Sequence, residues 1–202
     1  MKNQPSTSFK DAVEKYCAQR GLVVSEAKVI KLTCMNPPIE KLDIGIISTL
    51  LNCEELRLST NALPGLMPLT NMRNLRILTL SRNSIKSIRP LDDVAQTLEE
   101  LWLSYNLLEK LNNLGKLEKL KVLYLAHNKI SDINELDKIR DLENLKVTVM
   151  QGNPFYPSDL SAGRLSVLKK LPQLTMIDGK MVTNTEREGL SLGQEADDEE
   201  EE

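Results

Sequence analysis

Few side chains in this sequence are of kinds that make and break bonds, and those few are scattered. The single histidine, His127, precedes Asn128 and has no nucleophile or carboxylate motif beside it. General acid–base chemistry needs a base within hydrogen-bond reach of the proton it moves and a second group to orient it, and a lone imidazole at a loop edge has neither. The three thiols, Cys17, Cys34 and Cys53, fit neither zinc-ligand spacing nor a Cys-x-x-Cys redox pair. Reduced, buried or half-buried cysteines of a cytosolic protein are expected instead. Asp178-Gly179 reads as a turn. Phosphate-binding loops, His-Glu-x-x-His pairs and hydrolase elbows are absent. Neither catalysis nor a cofactor or metal is expected. The side chains that can act are those that bind surfaces, above all Trp102 and Tyr124.

What positions them is a repeat. Leu56, Leu58 and Asn61 recur as Leu78, Leu80 and Asn83, as Leu101, Leu103 and Asn106, and as Leu123, Leu125 and Asn128, with Thr148, Met150 and Asn153 as a weaker fifth copy. Flanking apolar residues repeat too, with Leu75, Leu98 and Leu120 before the strand and Ile85, Leu108 and Ile130 after it. This is the leucine-rich repeat, in which each coil contributes one short strand. The two leucines point to one side because strand side chains alternate, and the Asn amide can satisfy backbone groups freed where the chain turns. Stacked coils form a parallel sheet on one face of a solenoid. The composition agrees, with 35 leucines and only seven aromatic residues among 202.

The predicted architecture is α/β: a solenoid of about six coils with a parallel sheet on one face and a cap at each end. Residues 1–28 form an N-terminal helical cap, with Ser8 as N-cap of a helix whose apolar face is Phe9, Val13, Tyr16 and Cys17. The repeats occupy 29–155, starting with a degenerate coil at Ile30 and Leu32 in which Met35 replaces the Asn. Residues 156–190 make the C-terminal cap and terminal helix. Residues 191–202 are an acidic tail expected to be disordered. Thr148 puts a hydroxyl where Leu is expected, so its coil should be the least tightly packed. No stretch approaches the eighteen apolar residues of a membrane span, and a soluble intracellular protein is expected.

Alternation also tells which side chains leave the sheet. Arg57, Ile77, Glu100, Trp102, Val122, Tyr124, Val147 and Val149 point outward on successive strands. The later part of this row is too apolar to lie idle on a monomer, and Trp and Tyr commonly anchor interfaces. A protein partner with an apolar ridge, a helix or helical hairpin, rimmed by charges that meet Arg57 and Glu100, fits such a face. Base stacking on the aromatics would need a basic rim that the face lacks. The net charge of −3 is a sum of unlike parts: the tail holds seven of the 29 acids, leaving 22 against 26 Lys and Arg, about +4 for residues 1–194. That balance suits an acidic filament nearby.

The Leu-Ser-x-Asn strings resemble the repeat class of the nuclear regulatory subunit of protein phosphatase 1. More specifically, residues 8–20, Asn36-Pro37-Pro38-Ile39-Glu40-Lys41, Thr97-Leu98-Glu99-Glu100-Leu101-Trp102, Val122-Leu123-Tyr124 and the cap from Gly152-Asn153-Pro154 to Glu186-Arg187 resemble the leucine-rich-repeat light chain of outer-arm axonemal dynein. The resemblance implies a non-catalytic light chain on a dynein heavy chain near its microtubule-binding end, in the axoneme of cilia or flagella. It also implies that Met181 and Arg187 in the terminal segment contact heavy chain, tubulin or the microtubule. No nucleic acid or membrane is expected as a partner, and the free chain is expected to be monomeric. A phosphatase-regulatory or other repeat scaffold is the alternative.

Overall fold

The computed structural model describes residues 6–189, so the acidic tail and the last residue of the cap expected at 156–190 lie outside the described residues. Six three-residue strands arise where the repeat places them: β1 (Val29–Lys31), β2 (Glu55–Arg57), β3 (Ile77–Thr79), β4 (Glu100–Trp102), β5 (Val122–Tyr124) and β6 (Val147–Val149). All are parallel, with Ile30, Leu56, Leu78, Leu101, Leu123 and Thr148 in register. These central residues are fully buried, as are Leu58, Leu80, Leu103, Leu125 and Met150 two positions on. The core therefore runs the length of the solenoid between the sheet and the returning half of each coil. The returning segments include the short helix α2 (Ile44–Ile47) and a 3-10 helix at Ile133–Ile139.

Backbone groups at each bend are matched by the repeat asparagines. Asn106 is typical: its Oδ1 accepts from Ile85 N–H of the coil before at 3.0 Å, and its Nδ2 donates to Leu103 O at 3.0 Å and Leu80 O at 3.0 Å. Asn61, Asn83, Asn128 and Asn153 make the same three bonds in their own coils. The residue before each Asn turns the chain with a positive φ, at Thr60, Arg82, Tyr105, His127 and Gly152. Its N–H still reaches the next coil, as in Tyr105 N–H to Ala126 O at 2.8 Å. Among the described residues no buried side-chain nitrogen or oxygen lacks a partner. Thr148, which breaks the leucine pattern, donates its hydroxyl to Leu123 O at 2.8 Å and is fully buried.

The ends are sealed as the sequence requires. Helix α1 (Phe9–Ala18) starts at Ser8, whose side chain accepts from Asp11 N–H, and buries Phe9, Ala12, Val13 and Cys17 against the first coil. At the other end, α3 (Leu160–Lys170) buries Val167 and Leu168. The C-terminal cap also enters the sheet, which the repeat pattern did not disclose. Strand β7 (Met176–Ile177) pairs parallel to β6, and β8 (Lys180–Met181) turns back antiparallel, giving eight strands in sequence order.

Replacing Asn106 by Ala removes all three bonds, leaving the Ile85 N–H unmatched inside the solenoid and Leu80 O and Leu103 O with only the amide donors of Asn83 and Asn128. At 1–3 kcal/mol for the buried N–H left unpaired and about 1 kcal/mol for each of the two other bonds lost, the expected loss is about 3–5 kcal/mol. Asn61 is only half-buried, and Asn61→Ala should cost about half as much, since water reaches the groups it frees. Urea unfolding midpoints at constant m-value check this order, and equal losses at the two positions would contradict it.

Candidate protein interface

The strand register sorts the outward side chains into rows. One row runs Val29, Glu55, Ile77, Glu100, Val122, Val147 and Met176, and the next runs Lys31, Arg57, Thr79, Trp102, Tyr124 and Val149. All eight residues assigned to the face from alternation thus lie on one side of β2–β6, each half-buried by its neighbours. Trp102 and Tyr124 touch, their ring centroids 5.0 Å apart and tilted by 38°. The indole N–H of Trp102 donates to Glu100 Oε2 at 3.2 Å, and Arg57 Nε donates to the Glu55 carboxylate. The aromatic pair is therefore held in place before any partner arrives, with Ile77, Val122, Val147 and Val149 around it. Thr79 lies in the same row between Arg57 and Trp102, yet it is buried and accepts from Ser59 Oγ at 3.1 Å.

The terminal segment meets this face at one point. Met181 pairs with Met176 across β7–β8 and so continues the first row, and it is 62% exposed. Met176 was not anticipated, because nothing in the repeat marks a seventh strand. Arg187 lies outside the sheet, on the helical residues 184–189, and donates to Pro172 O at 2.9 Å and Leu174 O at 2.6 Å. Its guanidinium holds the terminal helix to the cap. The turn that carries Met181 is held by Arg164, which is buried and donates to the carbonyls of Ile177 and Met181 and to both carboxylate oxygens of Glu186. Asp178 closes the sheet end by accepting from Met150 N–H at 2.7 Å and from the Tyr156 hydroxyl at 2.6 Å.

The two edges of the sheet differ in charge. Before the strands, Lys28 pairs with Glu54 at 2.9 Å, and Glu99 bridges Arg76 and Lys121 at 2.9 and 2.7 Å. These two cations hold the Glu99 carboxyl down at about 2. After the strands, Arg82 lies 4.3 Å over the Tyr105 ring, and Tyr105 stacks on His127 at 4.4 Å and 18°. The column ends on Gly152, where an added Cβ would lie 2.5 Å from His127 Nδ1. His127 thus sits where a loop edge was expected and is part of a stack. Of the thiols expected to be buried or half-buried, Cys17 and Cys53 are buried, burial pushing the Cys53 thiol up to about 12, but Cys34 is exposed, at a bend of positive φ. Among the described residues no group of three or more His, Cys, Asp or Glu could hold a metal ion, and no helix is long and apolar enough to cross a membrane.

A parallel solenoid sheet with an asparagine at each bend defines a leucine-rich repeat protein, and a family model for leucine-rich repeats in two copies matches residues 96–138. Solved structures agree on the fold: a Leptospira interrogans leucine-rich repeat protein superposes with a TM-score of 0.59 at 23% identity, covering 75% of this chain and 37% of that one. Among curated relatives, the axonemal dynein light chain 1 of Chlamydomonas reinhardtii is 46% identical over 192 residues, 93% of this chain and 96% of its own length. Those of Xenopus laevis and Homo sapiens are 48% and 46% identical over 185 residues, 91% of this chain and 96% and 97% of theirs. The chain belongs to the axonemal dynein light chain 1 family.

The ion pair that sets the Met181 turn gives a pH test. Arg164 and the Thr183 N–H hold the Glu186 carboxyl at about 2, below its ordinary 4.5. A depressed carboxyl stabilises the fold fully above the ordinary value and less as pH falls toward the folded one. Glu186→Gln should cost about 1–3 kcal/mol at neutral pH, because Arg164 is left buried without its counter-charge. The gap between wild type and variant should close between pH 4.5 and 2 in denaturation curves. A gap that stays constant over that range would contradict the pairing.

Proposed function

We propose that this chain is a non-catalytic light chain that binds the heavy chain of outer-arm axonemal dynein near its microtubule-binding end and modulates ciliary or flagellar motility. The observation that carries the reading is the Trp102–Tyr124 pair on a sheet face whose neighbouring outward positions are Ile77, Val122, Val147 and Val149. Burying such a face releases water from apolar surface, and large aromatics at its centre are the residue types that dominate interface energies. Membership of an axonemal dynein light chain family supplies the partner class and the axoneme as the place of action. Arg57 and Glu100 stand beside the apolar centre and set which charges a partner must bring. Met181 extends the contact to the cap, and the sheet thereby offers one continuous surface from β2 to β8. Contact with tubulin or the microtubule itself belongs to the same reading, through the terminal segment.

Trp102→Ala combined with Tyr124→Ala should leave the melting temperature within a few degrees, since both side chains are outside the core. Affinity for a recombinant fragment holding the heavy chain's microtubule-binding region should fall by about 2–4 kcal/mol, roughly 30-fold or more. Calorimetry on the purified pair measures it. Undiminished affinity of the double variant would remove the face from the interface.

A further inference from the structure

We propose that the edge of the sheet after the strands is a carboxylate-binding rim, which makes a protein partner lie across the face with its acidic side toward Arg82. The inference rests on the reading of the face as an interface and adds the chemistry and direction of what binds there. Arg82, Tyr105 and His127 occupy the same repeat position in three successive coils, each with positive φ, so their side chains stand in line. The guanidinium lies over the phenol ring, and the phenol over the imidazole. Tyr105 is 44% exposed, so the column is open to a ligand.

A guanidinium held over a ring face spends none of its N–H donors on hydrogen bonds to that ring, so they remain available to grip a carboxylate with two parallel bonds. Cation–π contact with the ring also fixes the side chain beforehand, so less freedom is lost on binding. Among the described residues the Arg82 side chain makes no hydrogen bond and no ion pair, its one contact of this kind being the Tyr105 ring. Lys86 and Lys129, which follow the bends at Asn83 and Asn128, likewise make no ion pair among the described residues. On the opposite edge Lys28, Arg76 and Lys121 are paired to Glu54 and Glu99, while Lys146 donates to the Glu143 carbonyl at 2.8 Å. Glu55 and Glu100 lie in the outward row next to that paired edge.

The anion is taken to be a carboxylate because the rim adjoins an apolar face. Tyr105 follows Trp102 by three residues in one coil, so one ligand covering Trp102 and Tyr124 reaches Arg82 with its flank. A segment that is apolar on one side and acidic on the adjoining side satisfies both, and that is a protein segment bearing Glu or Asp.

The test titrates the full chain, labelled at arginine nitrogen, with the synthetic peptide hexaglutamate at low salt. The Nε–Hε resonance of Arg82 should move. Arg82→Gln and Tyr105→Leu should each weaken the peptide about fivefold or more, and Tyr105→Phe, which keeps the stack, should not. Unchanged affinity in Arg82→Gln, or shifts at Arg76 without shifts at Arg82, would overturn the rim. A variant with the seven acids at 195–202 replaced by amides provides a further control. If it alone responds to hexaglutamate at Arg82, the occupant is the chain's own end, and the assignment to a partner is overturned. The titration contains no heavy chain, so its failure with capture of the heavy-chain fragment intact removes the rim alone, and the converse removes the named partner alone.

Discussion

The structure depends on how a solenoid of short coils matches its own backbone at the bends. Each coil must leave its strand, turn sharply and re-enter the core, and the turning backbone would otherwise carry unpaired groups into an apolar interior. One Asn side chain per coil solves this, because an amide carries an acceptor and donors on the same short stem. The acceptor takes an N–H from the coil before, and the donors take a carbonyl from its own strand and one from the coil before. The asparagines thus set the spacing of the coils as well as the shape of each bend. Leucine then fills the equivalent pockets between them, and the sheet follows.

A function follows from what this arrangement leaves unconstrained. Inward positions must be leucine-like and bend positions must be Asn, whereas outward strand positions meet only their neighbours in a row. They can vary without cost to the core, which leaves Ile77, Trp102, Val122, Tyr124, Val147 and Val149 open to the partner contact proposed for this face. The same holds for the position before each Asn. It must accept positive φ, which for a side-chain-bearing residue is unfavourable by about 1 kcal/mol, and Arg, Tyr and His are not chosen for ease in that conformation. Gly152 ends that series, and its missing side chain is what lets the His127 ring lie where it does.

Much of this is legible in the sequence, and what is not has a common cause. The 22- or 23-residue steps between Asn61, Asn83, Asn106 and Asn128 announce the coils, and alternation assigns every strand residue a side. Phe9 through Cys17 declare the first cap by helical spacing. Beyond Asn153 the period is lost, so β7 and β8 could not be read, nor could Met176 be joined to Met181. The contacts of Arg164 with Ile177, Met181 and Glu186 are long-range in sequence and carry no local mark. Arg82 over Tyr105 is a subtler case. The period does place the residues in line, but whether they stack depends on the bend's dihedral angles, which the sequence alone does not specify. The helix at 184–189 shows the reverse, since Thr183 and Glu186 form a reciprocal capping box that spacing suffices to suggest.

Trp102 is the chain's one tryptophan and stands at the centre of the face, so its fluorescence reports directly on whether that face is the interface. The decisive measurement is acrylamide quenching of Trp102 in the free full-length chain and in the chain saturated with the heavy chain's microtubule-binding fragment. The account predicts that emission shifts to shorter wavelength and that quenching falls several-fold as the indole leaves water, for a fragment without tryptophan of its own. A fragment that binds while Trp102 stays as accessible to acrylamide as before would contradict it.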